Sequence, residues 1–349
     1  MTLNVFLSSN SRSGYSQDLI DLFAKPNGTR HQFRYAKKWI SEQVLTNISN
    51  SKQLSKQRAM LCYLDQATKN VTPSILPVRF ARIVEVREHG STVSIVLSLE
   101  DFCKFENLAS LNTIIRNQLP DLPDYKDGDL HGKYWISTDD NIQEIITTSS
   151  ELIDWENLIN FYYETPNSKE DLPFYRFDSF TNLKNNEKVS TSEDEGDLCF
   201  KLDPASTFDL KVYQFHPKKD FPEYALQVSS DNEKLVAVNG DKRVLNTRYD
   251  LKDYRFRTKR SMFGSTSYLS FRRTINSTGE VIWEDFLLKF KIKPSWKLVA
   301  IYTFTITVSF AAPFIVRSYS NPDNNIPVFI AAAIGGLLVS IATLLKEKD

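Results

Sequence analysis

The residues of this chain best suited to chemistry are cations set among aromatic rings. Tyr254-Arg255-Phe256-Arg257-Thr258-Lys259 alternates strictly. In an extended strand that pattern puts Arg255, Arg257 and Lys259 on one face and Tyr254, Phe256 and Thr258 on the other. Arg243 and Arg248 come just before it. Guanidinium forks match the oxygens of a phosphate, on lipid, nucleotide or nucleic acid. The run is therefore an anion-site candidate, and it equally describes the solvated outer face of a β-sandwich. A second set, Arg30, His31, Arg34, Lys37 and Lys38, lies among Phe33, Tyr35 and Trp39. Its rings could stack a base while the cations hold phosphate. An ordinary amphipathic helix is the plainer account.

Catalytic machinery is not evident. The chain has no glycine-rich phosphate loop ending in Lys-Ser or Lys-Thr, no paired histidines on a helix and no nucleophile elbow. It has 11 glycines, two of them inside the uncharged tail, few for a fold built on close backbone approach to a nucleotide. His31, His89, His131 and His216 are scattered, and Cys62, Cys103 and Cys199 lie far apart without metal or disulfide spacing. The expectation is a protein with no catalytic residue, metal ligand or cofactor, and no double-stranded DNA partner.

Residues 1–164 carry mixed α and β patterns. Leu3 to Leu7 reads as a strand, Gln32 to Leu45 as a helix, and Val78 to Val86 with Thr92 to Leu99 as a hairpin turning at Glu88 to Ser91. Helical spacing follows at Asn107 to Gln118 and at Ser149 to Tyr163, with Ser150 as the expected cap. Residues 165–197 lose periodicity and turn polar and acidic, as expected of a linker. Residues 198–295 show short strands between turn signals: Phe208 to Phe215, Tyr224 to Val228, Lys234 to Val238, Tyr254 to Thr258, Ser267 to Arg273 and Val281 to Lys291. That spacing predicts an all-β sandwich. Charge divides with the architecture. Residues 1–206 hold 22 basic against 29 acidic side chains, a net of −7, and residues 207–297 hold 18 against 11, a net of +7.

Two uncharged stretches, Leu298 to Val316 and Ile326 to Leu345, end the sequence. At about 1.5 Å per residue each is long enough for a bilayer core, and lysines flank both outer ends. Residues 296–349 are therefore expected to form a transmembrane helical hairpin with both termini cytoplasmic, in the inner membrane of a bacterium. Thr303, Thr307 and Pro313 in the first stretch, and the small-residue series Ala332, Gly336 and Ser340 in the second, are its expected packing or pore residues. The fold class expected is thus an α+β cytosolic domain, a β-sandwich and a membrane hairpin.

This layout, with the hairpin of Leu298 to Val316 and Ile326 to Leu345 joined directly to a β domain, resembles two-helix membrane effectors of bacterial antiviral defence, of retron and cyclic-nucleotide type. The resemblance implies a sensor that gates oligomerisation of the hairpin and disrupts the inner membrane. Its implied partners are the lipid bilayer, further copies of the chain, and a nucleotide or protein signal. The alternative is a non-toxic membrane-tethered scaffold that binds another protein.

Overall fold

The computed structural model describes residues 2–9, 13–48, 54–66, 71–126, 129–138, 142–165, 174–194, 196–218, 221, 223–245, 247–275, 281–319 and 334–336. The amino-terminal unit contains strands β1 (Leu3–Ser9), β2 (Arg30–Ala36), β3 (Arg58–Asp65), β4 (Ser74–His89), β5 (Thr92–Lys104), the short pair β6 (Asp124–Lys126) and β7 (Asp129–His131), β8 (Trp135–Thr138) and β9 (Thr147–Ser149). Its main sheet runs β2-β5-β4-β3-β1-β8, with β9 on β5. Among its described strand pairs, β1 with β3 is parallel and the others are antiparallel. The sheet curls until its ends meet: Ile40 bridges to Trp135, and the Tyr134 amide donates to Trp39 O at 2.7 Å. Phe6, Phe33, Tyr35 and Trp135 fill the resulting trough, with Phe6 and Trp135 4.9 Å apart.

Helices α1 (Ser13–Ala24), α2 (Glu42–Ile48), α3 (Leu108–Gln118), α4 (Ile142–Ile145) and α5 (Leu152–Glu164) cover this sheet. α3 starts where Asn107 Oδ1 accepts from the Ser110 amide at 2.9 Å, a side-chain cap satisfying an otherwise orphaned donor. The end of α1 is fixed from below. Arg79, fully buried, donates to Leu22 O at 2.9 Å, Lys25 O at 2.6 Å, Glu100 O at 2.5 Å and the Asn27 side chain. The last carbonyls of a helix lack intrahelical donors, and this guanidinium supplies them. Burial lowers its pKa to about 9.

The second unit is a β-sandwich. One sheet orders β11 (Glu187–Lys188), β10 (Phe174–Asn182), β14 (Thr207–Phe215), β18 (Tyr249–Thr258) and β16 (Leu235–Ala237). The other orders β12 (Thr191–Asp194), β13 (Asp197–Leu202), β20 (Val281–Ile292), β19 (Ser265–Ile275), β15 (Tyr224–Ser230) and β17 (Lys242–Leu245). Phe208, Leu210, Val212, Tyr254 and Phe256 from the first sheet meet Leu226, Val228, Leu269, Phe271 and Leu288 from the second in one core. The two units share a continuous apolar seam. Phe23 of α1 meets Phe174 at 5.1 Å, Trp155 of α5 meets Tyr213 at 5.9 Å and Phe215 at 6.3 Å, and Tyr213 Oη donates to Glu156 at 2.7 Å.

Several expectations need correction. The chain is mostly β, and a third element at the carboxyl end, α6 (Trp296–Tyr319), grows directly from the sandwich. Its start is seated on the sandwich: Leu298 is buried, and the amide of Ser295, the residue before the helix, donates to Ser261 O at 2.8 Å. Ser309 Oγ donates to Gly335 O at 2.9 Å. Among the described residues, no helix is long and apolar enough to cross a membrane. The expected transmembrane hairpin and inner-membrane location are therefore not borne out among the described residues. Absence of charge over Leu298 to Val316 is shared by helices in lipid and helices outside it, so it does not by itself define a span. The second stretch, apart from residues 334–336, lies outside the described residues, as do Ala332 and Ser340. The expected helix from Gln32 to Leu45 is instead β2, a single 3₁₀ turn at Lys37–Trp39, and α2. Residues 174–194 of the expected acidic linker form β10, β11 and β12 of the sandwich.

Candidate anion-binding cleft

The predicted cationic sets are dispersed by the fold. Because β2 is a strand, its cations alternate rather than cluster. Arg30 Nε donates to Gly196 O at 2.8 Å and the Arg30 amide donates to Asp197 at 3.0 Å, tying the two units together. Arg34 donates to Thr92 Oγ1 at 3.3 Å, Lys37 pairs with Glu88, and Lys38 lies 4.9 Å over the Trp39 ring. Buried His31 faces the α1 side of the sheet rather than solvent. On β18, Arg255 and Arg257 face outward while Tyr254, Phe256 and Thr258 enter the core, as the alternation predicts. Arg255 sits 3.6 Å from Asp209. Arg243 packs against Tyr254 and donates to Asp253 O at 2.9 Å, and Arg248 lies 5.9 Å over Phe215. Lys259 is exposed just past the strand. This is the outer face of a sandwich, where Arg255 pairs across strands with Asp209.

A concave site lies one residue further on. Four connections meet at one end of the sandwich: the β10–β11 turn with Lys184 and Asn185, the β13–β14 turn from Asp203 to Ser206, the β18–β19 loop with Arg260, and the junction from β20 into α6 with Lys293 and Lys297. They enclose a cleft of about 600 Å³. Its lining contains four cations, Lys184, Arg260, Lys293 and Lys297, and one carboxylate, Asp203. Asp203 accepts from Lys293 Nζ at 2.8 Å. Neither Lys184 nor Lys297 has a carboxylate at ion-pair distance among the described residues, so the cleft carries an excess of positive charge. Field lines concentrate in such a concavity.

Local hydrogen bonds hold this rim. The Lys293 amide donates to Leu202 O at 2.9 Å, continuing the parallel ladder of β13 and β20 past its last registered pair. Lys184 is placed by its amide bond to Asn182 Oδ1 at 3.0 Å. Thr258 Oγ1 donates to Asp203 O at 2.7 Å and accepts from the Ser206 amide at 3.1 Å, bracketing Ala205. Ala205 has φ +52°, a left-handed conformation costing a non-glycine residue about 1 kcal/mol. The Ser295 amide donates to Ser261 O at 2.8 Å, and α6 begins at the next residue. The amides of that first turn have no intrahelical acceptor, which adds partial positive charge to the cleft wall. Trp296, 76% exposed, stands at its mouth.

Lys184, Arg260, Lys293 and Lys297 were not singled out as a set from the sequence. The signal available was the net positive charge of residues 207–297 together with the lysines before the uncharged tail. The tail candidates take structural parts. Thr307 Oγ1 bonds back to Thr303 O at 2.7 Å, the ordinary fate of a helical hydroxyl. Pro313 lies within α6. Close helix approach occurs at Gly335, where an added Cβ would lie 3.0 Å from Ser309 Cα, and not at Gly336, where such an atom would meet open space.

No family model and no curated protein matches this chain. Three solved structures are similar to parts of it. The cupredoxin domain of amoB from Nitrosocaldus yellowstonii is 7% identical with a TM-score of 0.19, over 26% of this chain and 57% of that one. WR4, a C. elegans MSP family member, is 9% identical with a TM-score of 0.19, over 27% and 92%. The ASH/PapD-like domain of human CEP192 is 6% identical with a TM-score of 0.20, over 31% and 84%. Likenesses this slight carry no argument about function.

Proposed function

We propose that this chain is a binding protein that senses an anionic, phosphate-bearing small molecule at the end of its sandwich. The observation that carries the reading is the position of the cationic cleft: its wall is the segment where β20 becomes α6. An anion held by Lys184, Lys297 and the amides at the start of α6 would tighten that junction and bias how the helix is seated. Charge-assisted bonds of this kind are about twice as strong as neutral ones. A nucleotide is one member of the ligand class, and the defence setting is a proposal for the same site: loss of the cleft cations would then abolish protection in a phage-plating assay. The direct test uses Trp296 as a reporter. Pyrophosphate should change tryptophan emission in a saturable way, and the change should vanish in Trp296→Phe. An unaltered emission across millimolar ligand, with no competing binding signal, would count against the reading.

A second reading draws on α6 itself. Phe304 and Phe310 are each 71% exposed, and Ile301, Ile306 and Ile315 are exposed beside them. Uncovered apolar surface on this scale marks interaction sites. It favours the scaffold alternative, in which the helix engages another protein or a second copy. A concentration-dependent mass in sedimentation that returns to monomer in Phe304→Ser with Phe310→Ser would support the self-association form.

A further inference from the structure

On the other side of the Pro294-to-Trp296 edge of the cationic cleft runs a second cavity of about 370 Å³, between the loop Met262–Gly264 and α6. Pro294 and Trp296 line both. The second cavity is apolar. Phe263, 69% exposed, forms one wall, and Val299, Tyr302 and Ile306 form the other. Those three helix positions are spaced i, i+3 and i+7, so they present one continuous stripe. Both volumes fall in the range of about 300–1,000 Å³ typical of ligand sites. A charge-rich basin adjoining an apolar trough across a shared edge is complementary to one kind of molecule, a charged head on a flexible hydrocarbon chain.

We infer that the ligand is a single-chain anionic amphiphile whose phosphate or carboxylate head sits among Lys184, Arg260, Lys293 and Lys297 and whose chain lies along α6 under Phe263. The inference rests on the anion reading of the cleft and goes beyond it by assigning the tail. Neither Phe263 nor Trp296 completes the core of the sandwich, because both stand mostly in solvent. Gly264 lets the Met262–Gly264 loop lie close against the end of β20: an added Cβ there would lie 3.1 Å from Ile292 O and 3.5 Å from Pro294 Cδ. A bound chain would cover Phe263 and the Val299 face together, coupling head binding to the first turns of the helix.

The test is a calorimetric titration with the full chain, using inorganic phosphate, glycerol phosphate, and butyl, hexyl, octyl and decyl phosphate below their micelle thresholds. Octyl glucoside is the uncharged control. Partial burial in an open trough should raise affinity about twofold for each added methylene, roughly half the effect of complete burial. Phe263→Ala and Ile306→Asn, both at exposed positions, should flatten that dependence on chain length. Lys184→Glu with Lys297→Glu should weaken every phosphate in the series. If phosphate binds but the alkyl series is flat, the tail assignment is wrong and the anion reading stands. If octyl glucoside binds as tightly as octyl phosphate, the head assignment fails. If nothing binds, both readings fail.

Discussion

Asp18 offers a quantitative test of how the amino-terminal unit is held together. Its carboxylate lies under α1, where Oδ2 accepts from Ser8 Oγ at 3.2 Å and Oδ1 is 3.8 Å from His31 Nε2. Burial pushes the Asp18 pKa up to about 7, and the charge of Asp21 adds to the rise; the Ser8 hydrogen bond and Lys25 oppose it without cancelling it. His31 does not compensate, because burial and the nearby charges of Lys25 and Arg79 keep it neutral. A carboxyl group that holds its proton more tightly when folded stabilises the fold below the unfolded pKa of 3.8, and this contribution is lost as pH rises through the folded value of about 7. At about 1.4 kcal/mol per pH unit, that rise corresponds to about 4 kcal/mol. The side chain is 27% exposed, and solvent screening reduces the figure to about 2–3 kcal/mol. Asp18→Asn removes the titration and retains an acceptor for Ser8. Urea denaturation should show the variant near wild type at pH 4 and more stable by about 2–3 kcal/mol at pH 8. A difference independent of pH, or a variant less stable at pH 8, would refute this account of the pocket beneath α1.

Other parts of the fold make separate predictions. Arg79→Met should destabilise by about 3–5 kcal/mol, because it strips donors from several buried carbonyls, and should increase amide exchange at the end of α1 ahead of the sandwich. Trp155→Ala empties the seam between α5 and the Tyr213–Phe215 edge and should cost about 3–5 kcal/mol, read as a lower denaturation midpoint.

The sandwich was largely legible because its signals are local. The six strands expected between Phe208 and Lys291 correspond to β14, β15, β16, β18, β19 and β20, separated by Asn, Asp and Gly turns. The β4–β5 hairpin likewise follows from alternation and from Gly90, which takes φ +57° at the turn. What failed depended on partners far away in sequence. Phe33, Ala36, Ile40 and Val44 are spaced for a helix, yet His31, Phe33 and Tyr35 are also spaced for a strand. Pairing with β5 from Ser98 to Thr92 decides between them. The acidic run at Thr191–Asp194 looks incapable of ordering by itself; as an edge strand it needs little apolar surface, and its charges suit an exposed edge. Lys289, buried on β20 one strand beyond β13, pairs with Asp194 at 2.8 Å. The cleft was illegible for a related reason. Lys184, Arg260 and Lys297 come from turns tens of residues apart, and only closure of the sandwich brings them together.

The central claim is that this convergence of cations binds a phosphate-bearing anion, and calorimetry of the wild-type chain against Lys184→Glu with Lys297→Glu tests it most directly. Pyrophosphate should bind the wild type saturably, lose affinity as salt rises from 50 to 200 mM in the manner of ion-paired ligands, and bind the double variant at least about tenfold more weakly, a change of about 1.4 kcal/mol. Equal affinity for the two proteins, or binding indifferent to salt, would contradict it.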